Sequence, residues 1–104
     1  MNKFFNFLGL AKRSGNLIEG YSKCDDLRNQ TKLHLFIIST DISEKSKSKF
    51  IKHCETNSIN YIYDFTKEEL GEPLGRPEVK ILAINNAKMA DKLFSLYQEE
   101  CSKI

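Results

Sequence analysis

No apolar run in this chain approaches the length of a membrane span, and no nucleotide-binding glycine motif of the GxGxxG or P-loop type occurs. Phosphate-cofactor chemistry therefore has no support, and no cofactor is expected. Cysteine is scarce and unpaired: Cys24, Cys54 and Cys101 are odd in number, widely spaced and never arranged as CxxC. That pattern suggests neither a disulfide framework nor a zinc site. Each cysteine falls where a helix would bury a small apolar residue, so three reduced, mostly buried thiols in a cytoplasmic protein are expected. Repeats, low-complexity tracts and linkers are also lacking. The N-terminal apolar stretch from Phe4 to Ala11 contains Asn6 and Gly9 and runs straight into Lys12 and Arg13, with no small-x-small cleavage pattern, so it does not read as a secretory signal.

What remains is the composition of one folded domain covering residues 1–104. Hydrophobic residues make up 40% and charged residues 29%, a balance that excludes a disordered chain. Net charge is only +2, but its distribution is uneven. Residues 1–54 carry ten Lys/Arg against five Asp/Glu, whereas residues 55–104 carry six against nine. Such asymmetry suits one-sided binding to an anion, with chance as the plain alternative.

The hydrophobic pattern alternates between helical and extended segments. Phe4, Phe7, Leu8 and Ala11 share one helical face, which Gly15 stops. Leu17 and Ile18 form a short extended piece before Gly20. Residues 21–30 read as a weak helix with Cys24 and Leu27 inward. Leu33 to Ser39 and Val79 to Ile84 are nearly continuous apolar runs, as strands buried on both faces require. Asp41 and Glu44 have capping-box spacing for a third helix to about residue 56, with Phe50, Ile51 and Cys54 inward. Ile59 to Tyr63 reads as a strand. Thr66 and Glu69 form a second capping box, opening a short helix before Gly71. Pro73, Gly75 and Pro77 mark a loop, and Ala87 to Cys101 carries a helical stripe. Strands alternating with helices predict a three-layer α/β/α sandwich with about four strands.

Candidates for catalysis are weak. His34 lies in a strand run, where a structural role is the ordinary one. His53 adjoins Cys54, but neighbours on a helix point about 100° apart and form no dyad. Glu68, Glu69, Glu72 and Glu78 near the Gly/Pro loop contain a conceivable carboxylate pair, although solvated acids are commoner. Lys45, Lys49 and Lys52 share a helical face with Lys47 beside them. That face is either a solvated surface or a phosphate-contacting edge.

The stretch Leu8-Gly9-Leu10-Ala11-Lys12-Arg13-Ser14-Gly15-Asn16-Leu17-Ile18-Glu19-Gly20 resembles the opening of the ribosomal protein L-seven-Ae superfamily, in its bacterial YlxQ-like branch. The resemblance continues through Leu35-Phe36-Ile37-Ile38-Ser39-Thr40-Asp41, Phe65-Thr66-Lys67-Glu68-Glu69-Leu70-Gly71 and Gly75-Arg76-Pro77, and so covers nearly the whole chain in order. It implies an α/β/α sandwich with a mixed four-stranded sheet. It also implies recognition of kink-turns, bent RNA elements with sheared G·A pairs and an extruded nucleotide.

The family reads RNA with a Gly, any residue, Asn-Glu, and a Lys three residues further on. Gly20 matches, but Ser22 replaces the Asn, Lys23 the Glu and Asp26 the Lys. Lys23 can reach phosphate but accepts no hydrogen bond from a guanine, and Asp26 repels phosphate. Lys67 falls on a family basic residue near the extruded nucleotide. Arg76 falls on the family's loop Arg, in a loop that is shorter here. By this resemblance Lys12, Arg13, Asn16, Gly20, Ser22, Lys23, Lys67 and Arg76 are the expected RNA-binding residues. The partner expected is structured RNA, ribosomal RNA included, bound by a monomer that needs no membrane. A protein-interaction adaptor on the same fold is the alternative, favoured by the altered motif and the acidic second half. A hydrolase ranks well behind both.

Overall fold

Two apolar tetrads, Leu35–Ile38 (β2) and Ile81–Ile84 (β4), form the centre of the sheet, and every side chain in both is buried. The computed structural model describes residues 2–101. The two strands run antiparallel, with Leu35 opposite Ile84 and Ile38 opposite Ile81. Strand β1 (Leu17–Glu19) pairs antiparallel with the outer edge of β4, and β3 (Asn60–Ile62) pairs parallel with β2. The sheet is therefore mixed, in the order β1-β4-β2-β3.

Strand side chains alternate between faces, and this decides the layers. Leu35, Ile37, Leu82 and Ile84 meet Phe4, Leu8 and Ala11 of helix α1 (Asn2–Arg13) and Ala90, Leu93 and Leu96 of α5 (Ala87–Cys101). Leu70 of the short α4 (Lys67–Gly71) joins the same cluster. Phe36, Ile38, Ile81 and Ala83 meet Cys24 of α2 (Tyr21–Leu27) and Phe50 and Cys54 of α3 (Glu44–Thr56) on the opposite face. The result is the α/β/α sandwich expected from the sequence. Phe50 is fully buried, and emptying such a site by Phe→Ala typically costs about 3–5 kcal/mol.

The elements are shorter than their hydrophobic runs. Leu33 and Val79 are buried but lie outside the ladder. The backbone of His34 still donates to the Ile84 carbonyl at 2.8 Å, so the residue borders the sheet without being in it. Helix α2 stops at Leu27 rather than at residue 30, and Gln30 and Thr31 close a turn onto the Leu27 carbonyl. Helix α1 ends at Arg13, and Gly15 stops it as expected, its φ of 79° placing it in the left-handed region. There Gly15 donates to Lys12 and Asn16 to Ala11, the paired bonds of a Schellman motif.

The cap of α3 differs from the expected one. Ser43, not Asp41, caps it, accepting from the Ser46 amide at 3.3 Å. Asp41 turns instead to the start of α4 and accepts from the Lys67 amide at 3.1 Å. The Thr66–Glu69 capping box forms as expected. Beyond α4 the chain makes a 3-10 turn over Glu72–Leu74 where a plain loop was anticipated. Cys24 and Cys54 are free and buried, and the side chain of Cys101 lies outside the described residues.

Candidate functional site

The start of α2 and the segment from Arg76 to Lys80 face each other across a groove of about 400 Å³. Gly20 lines it, with Lys23, Arg76 and Lys80 as cations and Glu19 and Glu78 as anions. Gly20 holds φ at +95°, which side chains rarely adopt. Its amide donates to the Ile81 carbonyl at 2.9 Å and its carbonyl accepts from the Cys24 amide at 3.1 Å. One glycine thus joins the end of β1 to β4 and opens α2.

Arg76 is placed by glycines on the other wall. Gly75 is left-handed at φ 71°, and the Arg76 amide donates to the Gly71 carbonyl at 3.1 Å. A Cβ at Gly71 would lie 2.7 Å from the Arg76 carbonyl oxygen and 2.8 Å from the Glu78 Cα. The loop can therefore fold back onto α4 only because residue 71 has no side chain.

Of the cations lining the groove, Arg76 is tied to a carboxylate, and two neighbouring lysines pair with the groove's acids. Arg76 Nε donates to Glu19 Oε1 at 2.5 Å, and Lys12 Nζ lies 3.5 Å from Glu19 Oε2. Lys12 also donates to the Leu74 carbonyl at 2.7 Å. The Glu19 side chain is only 16% exposed, whereas that of Arg76 is 54% exposed. The bond to Glu19 uses only Nε, and among the described residues no other side-chain bond engages Arg76. Its terminal amino edge and planar face are thus left for a ligand. Lys67 Nζ sits 3.5 Å from Glu78 Oε2, and Val79 donates to the Lys67 carbonyl at 2.9 Å, which joins α4 to the same wall.

Residues 2–94 match the model of the Ribosomal protein L7Ae/L30e/S12e/Gadd45 family. The chain belongs to this family. Its structure is similar to that of a Bacillus halodurans protein of unknown function, with 26% identity and a TM-score of 0.84 over 90% of this chain and 95% of that one. It is also similar to a Giardia lamblia 15.5kD RNA binding protein, with 17% identity and a TM-score of 0.69 over 88% and 85%. The second likeness is one of fold. No curated protein matches the sequence.

Of the residues expected to act in this member of the L7Ae/L30e/S12e/Gadd45 family, the groove brings together Gly20, Lys23 and Arg76. Lys12 reaches the groove through Glu19, and Lys67 through Glu78. Three others lie apart. Arg13 lines a separate recess beside Phe5, Gly9 and Lys12. Asn16 bonds its side-chain amide to Ser14 Oγ at 3.0 Å and accepts from the Asn85 amide through its carbonyl. Ser22 is exposed on α2 and does not line the groove. Sequence reasoning missed Glu19, Tyr21 and Lys80, and it considered Glu78 only as part of a carboxylate pair. For Glu19 a signal existed: an acid at the end of a short strand, immediately before the glycine that opens the site.

Several of the catalytic candidates are otherwise engaged. Burial pushes the Cys54 thiol up to about 12, with Glu55 adding to the effect, and burial alone does the same to Cys24. His53 faces Asn57 and Arg28 at 3.3 and 3.5 Å. Partial burial, then the Arg28 charge, hold it below the usual histidine value. A buried, protonated thiol beside a neutral imidazole that points elsewhere is no nucleophile–base pair. Glu69 is taken by its capping box and Glu78 by Lys67. Among the described residues no helix is long and apolar enough to cross a membrane.

Proposed function

We propose that this chain binds structured RNA at the Gly20 groove, with a preference for elements that extrude a nucleotide. The observation that carries this reading is the convergence of Lys23, Arg76 and Lys80 on one concave surface beside the half-buried Gly20. Structured RNA is read through phosphates, 2′-hydroxyls and unstacked bases, and a cationic groove with a planar arginine at its rim meets those demands. Arg76 can lie on an extruded base while its terminal amino edge takes a phosphate oxygen. Gly20 presents no Cβ to the RNA backbone. Ribosome association, binding as a monomer, the absence of a cofactor and a cytoplasmic setting belong to the same reading.

The preference for a kink-turn over other bulged RNA is expected to be relaxed. Ser22, Lys23 and Asp26 stand where the family has Asn, Glu and Lys, and they cannot supply the same contacts to guanine edges. Sequencing the RNA that co-purifies with the protein tests the main claim. Comparing its affinity for a kink-turn and for a plain bulged helix tests the finer one. Restoring Asn, Glu and Lys at positions 22, 23 and 26 should widen the difference, and a native protein that already discriminates by about a hundredfold would contradict this account of the motif.

A second reading has one specific observation behind it. Glu19 and Glu78 leave the groove mixed in charge, a surface that also suits a protein partner. Tight binding of a protein, with no structured RNA bound at low salt, would favour that adaptor reading.

A further inference from the structure

Away from the groove, where α2 ends against α3, two recesses of about 370 and 170 Å³ share Arg28 and His53. Lys49 and Lys52 of α3 line the larger, and Lys32 lines the smaller. No carboxylate lines either one. Among the described residues, Asp25 is the acid paired with these cations, holding Arg28 Nε at 2.8 Å and Lys49 Nζ at 3.0 Å from a single oxygen. Bonds from Arg28, then Lys49, keep Asp25 below the usual carboxylate range, so it remains charged and offsets one of the four cations. Lys32 and Lys52 are exposed, and no ion pair engages either among the described residues. The surface also joins the groove. Lys49 donates to the Tyr21 hydroxyl at 2.6 Å and lies over the Tyr21 ring, and Tyr21 lines the groove.

From this we infer a second contact surface for nucleic-acid phosphates, formed by Arg28, Lys32, Lys49 and Lys52, that extends the groove along the α2–α3 face. The inference rests on the RNA reading above and adds a path for the flanking helix. A concave surface lined by one sign of charge focuses potential more strongly than the same charges on a convex helix. Arg28 and Lys49 are fixed by Asp25, while Lys32 and Lys52 are free to follow the phosphate backbone. The contacts are to phosphate, so this surface adds affinity without reading sequence. The face bearing Lys45, Lys49 and Lys52 is thus divided: Lys49 and Lys52 border the recess, whereas Lys45 does not.

The test compares the intact chain with the double variant Lys32→Gln/Lys52→Gln on two RNAs. One is the shortest structured element bound at the groove, and the other is the same element with an extended flanking helix. On the long RNA the double variant should lose affinity about tenfold or more at 0.1 M salt, and its log–log salt slope should fall by about 1.4–1.8, the release expected from two phosphates. On the short RNA it should match the native chain. Lys32→Arg/Lys52→Arg should bind the long RNA normally, and an unchanged unfolding midpoint for each variant excludes a folding defect. A double variant that matches the native chain on the long RNA, or one that loses equally on both RNAs, overturns the inference. If that insensitive variant still loses binding on Arg76→Ala, the groove reading stands and only the second surface falls. If the native chain binds no structured RNA at all, both fall together.

Discussion

Arg76 combines a fixed charge with a planar face, and the groove uses its inner nitrogen as a tether to Glu19. Lysine at 76 would keep the charge and lose both the plane and the tether geometry. Arg76→Lys should therefore weaken binding to an RNA with an extruded nucleotide by about 1–2 kcal/mol, the scale of one stacking contact. The loss should vanish when that nucleotide is deleted from the RNA, and a titration of both RNAs measures it. Native-like binding by Arg76→Lys would leave this residue only a charge. Glu19 gives a test with opposed expectations. Removing an anion from a phosphate-binding groove should tighten binding if charge alone matters. Loss of the tether should weaken it, because Arg76 is then no longer held in place before RNA arrives, although Lys12 keeps its bond to the Leu74 carbonyl. Glu19→Ala, which removes both the charge and the acceptor, is expected to bind RNA more weakly, and tighter binding would show that Glu19 is merely an opposing charge.

Among the elements, the junction from α4 to β4 sets the groove's shape. Gly71→Ala would force a Cβ against the Arg76 and Glu78 backbone, which no side-chain rotation can relieve. A loss of about 1–3 kcal/mol in stability is expected, as for other overpacked sites, together with weaker RNA binding through displacement of Arg76. Denaturant unfolding measures the first. Asp41 accepts from the first amide of α4 and is thereby linked to pH. Desolvation opposes its charged form, but hydrogen bonds, including that from the Lys67 amide, outweigh it and leave the carboxyl below its ordinary value. A depressed folded-state value stabilises above the unfolded one, and the contribution disappears as pH falls through the folded value. Asp41→Asn should therefore lose stability at neutral pH and show a flatter decline below about pH 4. Unfolding titrations at the two pH values check this.

The fold was legible where local pattern and tertiary environment agreed. The apolar tetrads in the Leu33–Ser39 and Val79–Ile84 runs are short, rich in β-branched isoleucine and flanked by turn residues, as central strands are, and the Thr66–Glu69 box is completed within four residues. Legibility failed where a residue's partner is distant in sequence. Asp41 has capping-box spacing with Glu44, yet its carboxylate goes to Lys67, and Ser43 takes over the cap. Glu19 meets Arg76 across 57 positions, a pairing that no local pattern carries. The candidate site was half legible for the same reason. The motif reaches Gly20, Lys23 and Arg76, whereas the carboxylate that holds Arg76 is visible only in three dimensions.

For the molecule as a whole, six of the ten cations in residues 1–54 lie on or beside two surfaces. Lys12 and Lys23 serve the groove, and Arg28, Lys32, Lys49 and Lys52 form the α2–α3 face. The acids of the second half do not simply repel a ligand, since Glu69 caps a helix and Glu78 pairs with Lys67. Net charge therefore understates what a polyanion meets on this side of the protein. The most direct measurement is equilibrium binding of the intact chain to a kink-turn RNA from about 50 to about 200 mM salt, repeated with Arg76→Ala. Binding should fall along a log–log line worth about −0.7 to −0.9 per phosphate released, and the variant should bind more weakly with a slope flatter by about one such contact. Absence of binding at the lowest salt, or native affinity and slope in Arg76→Ala, would contradict the account.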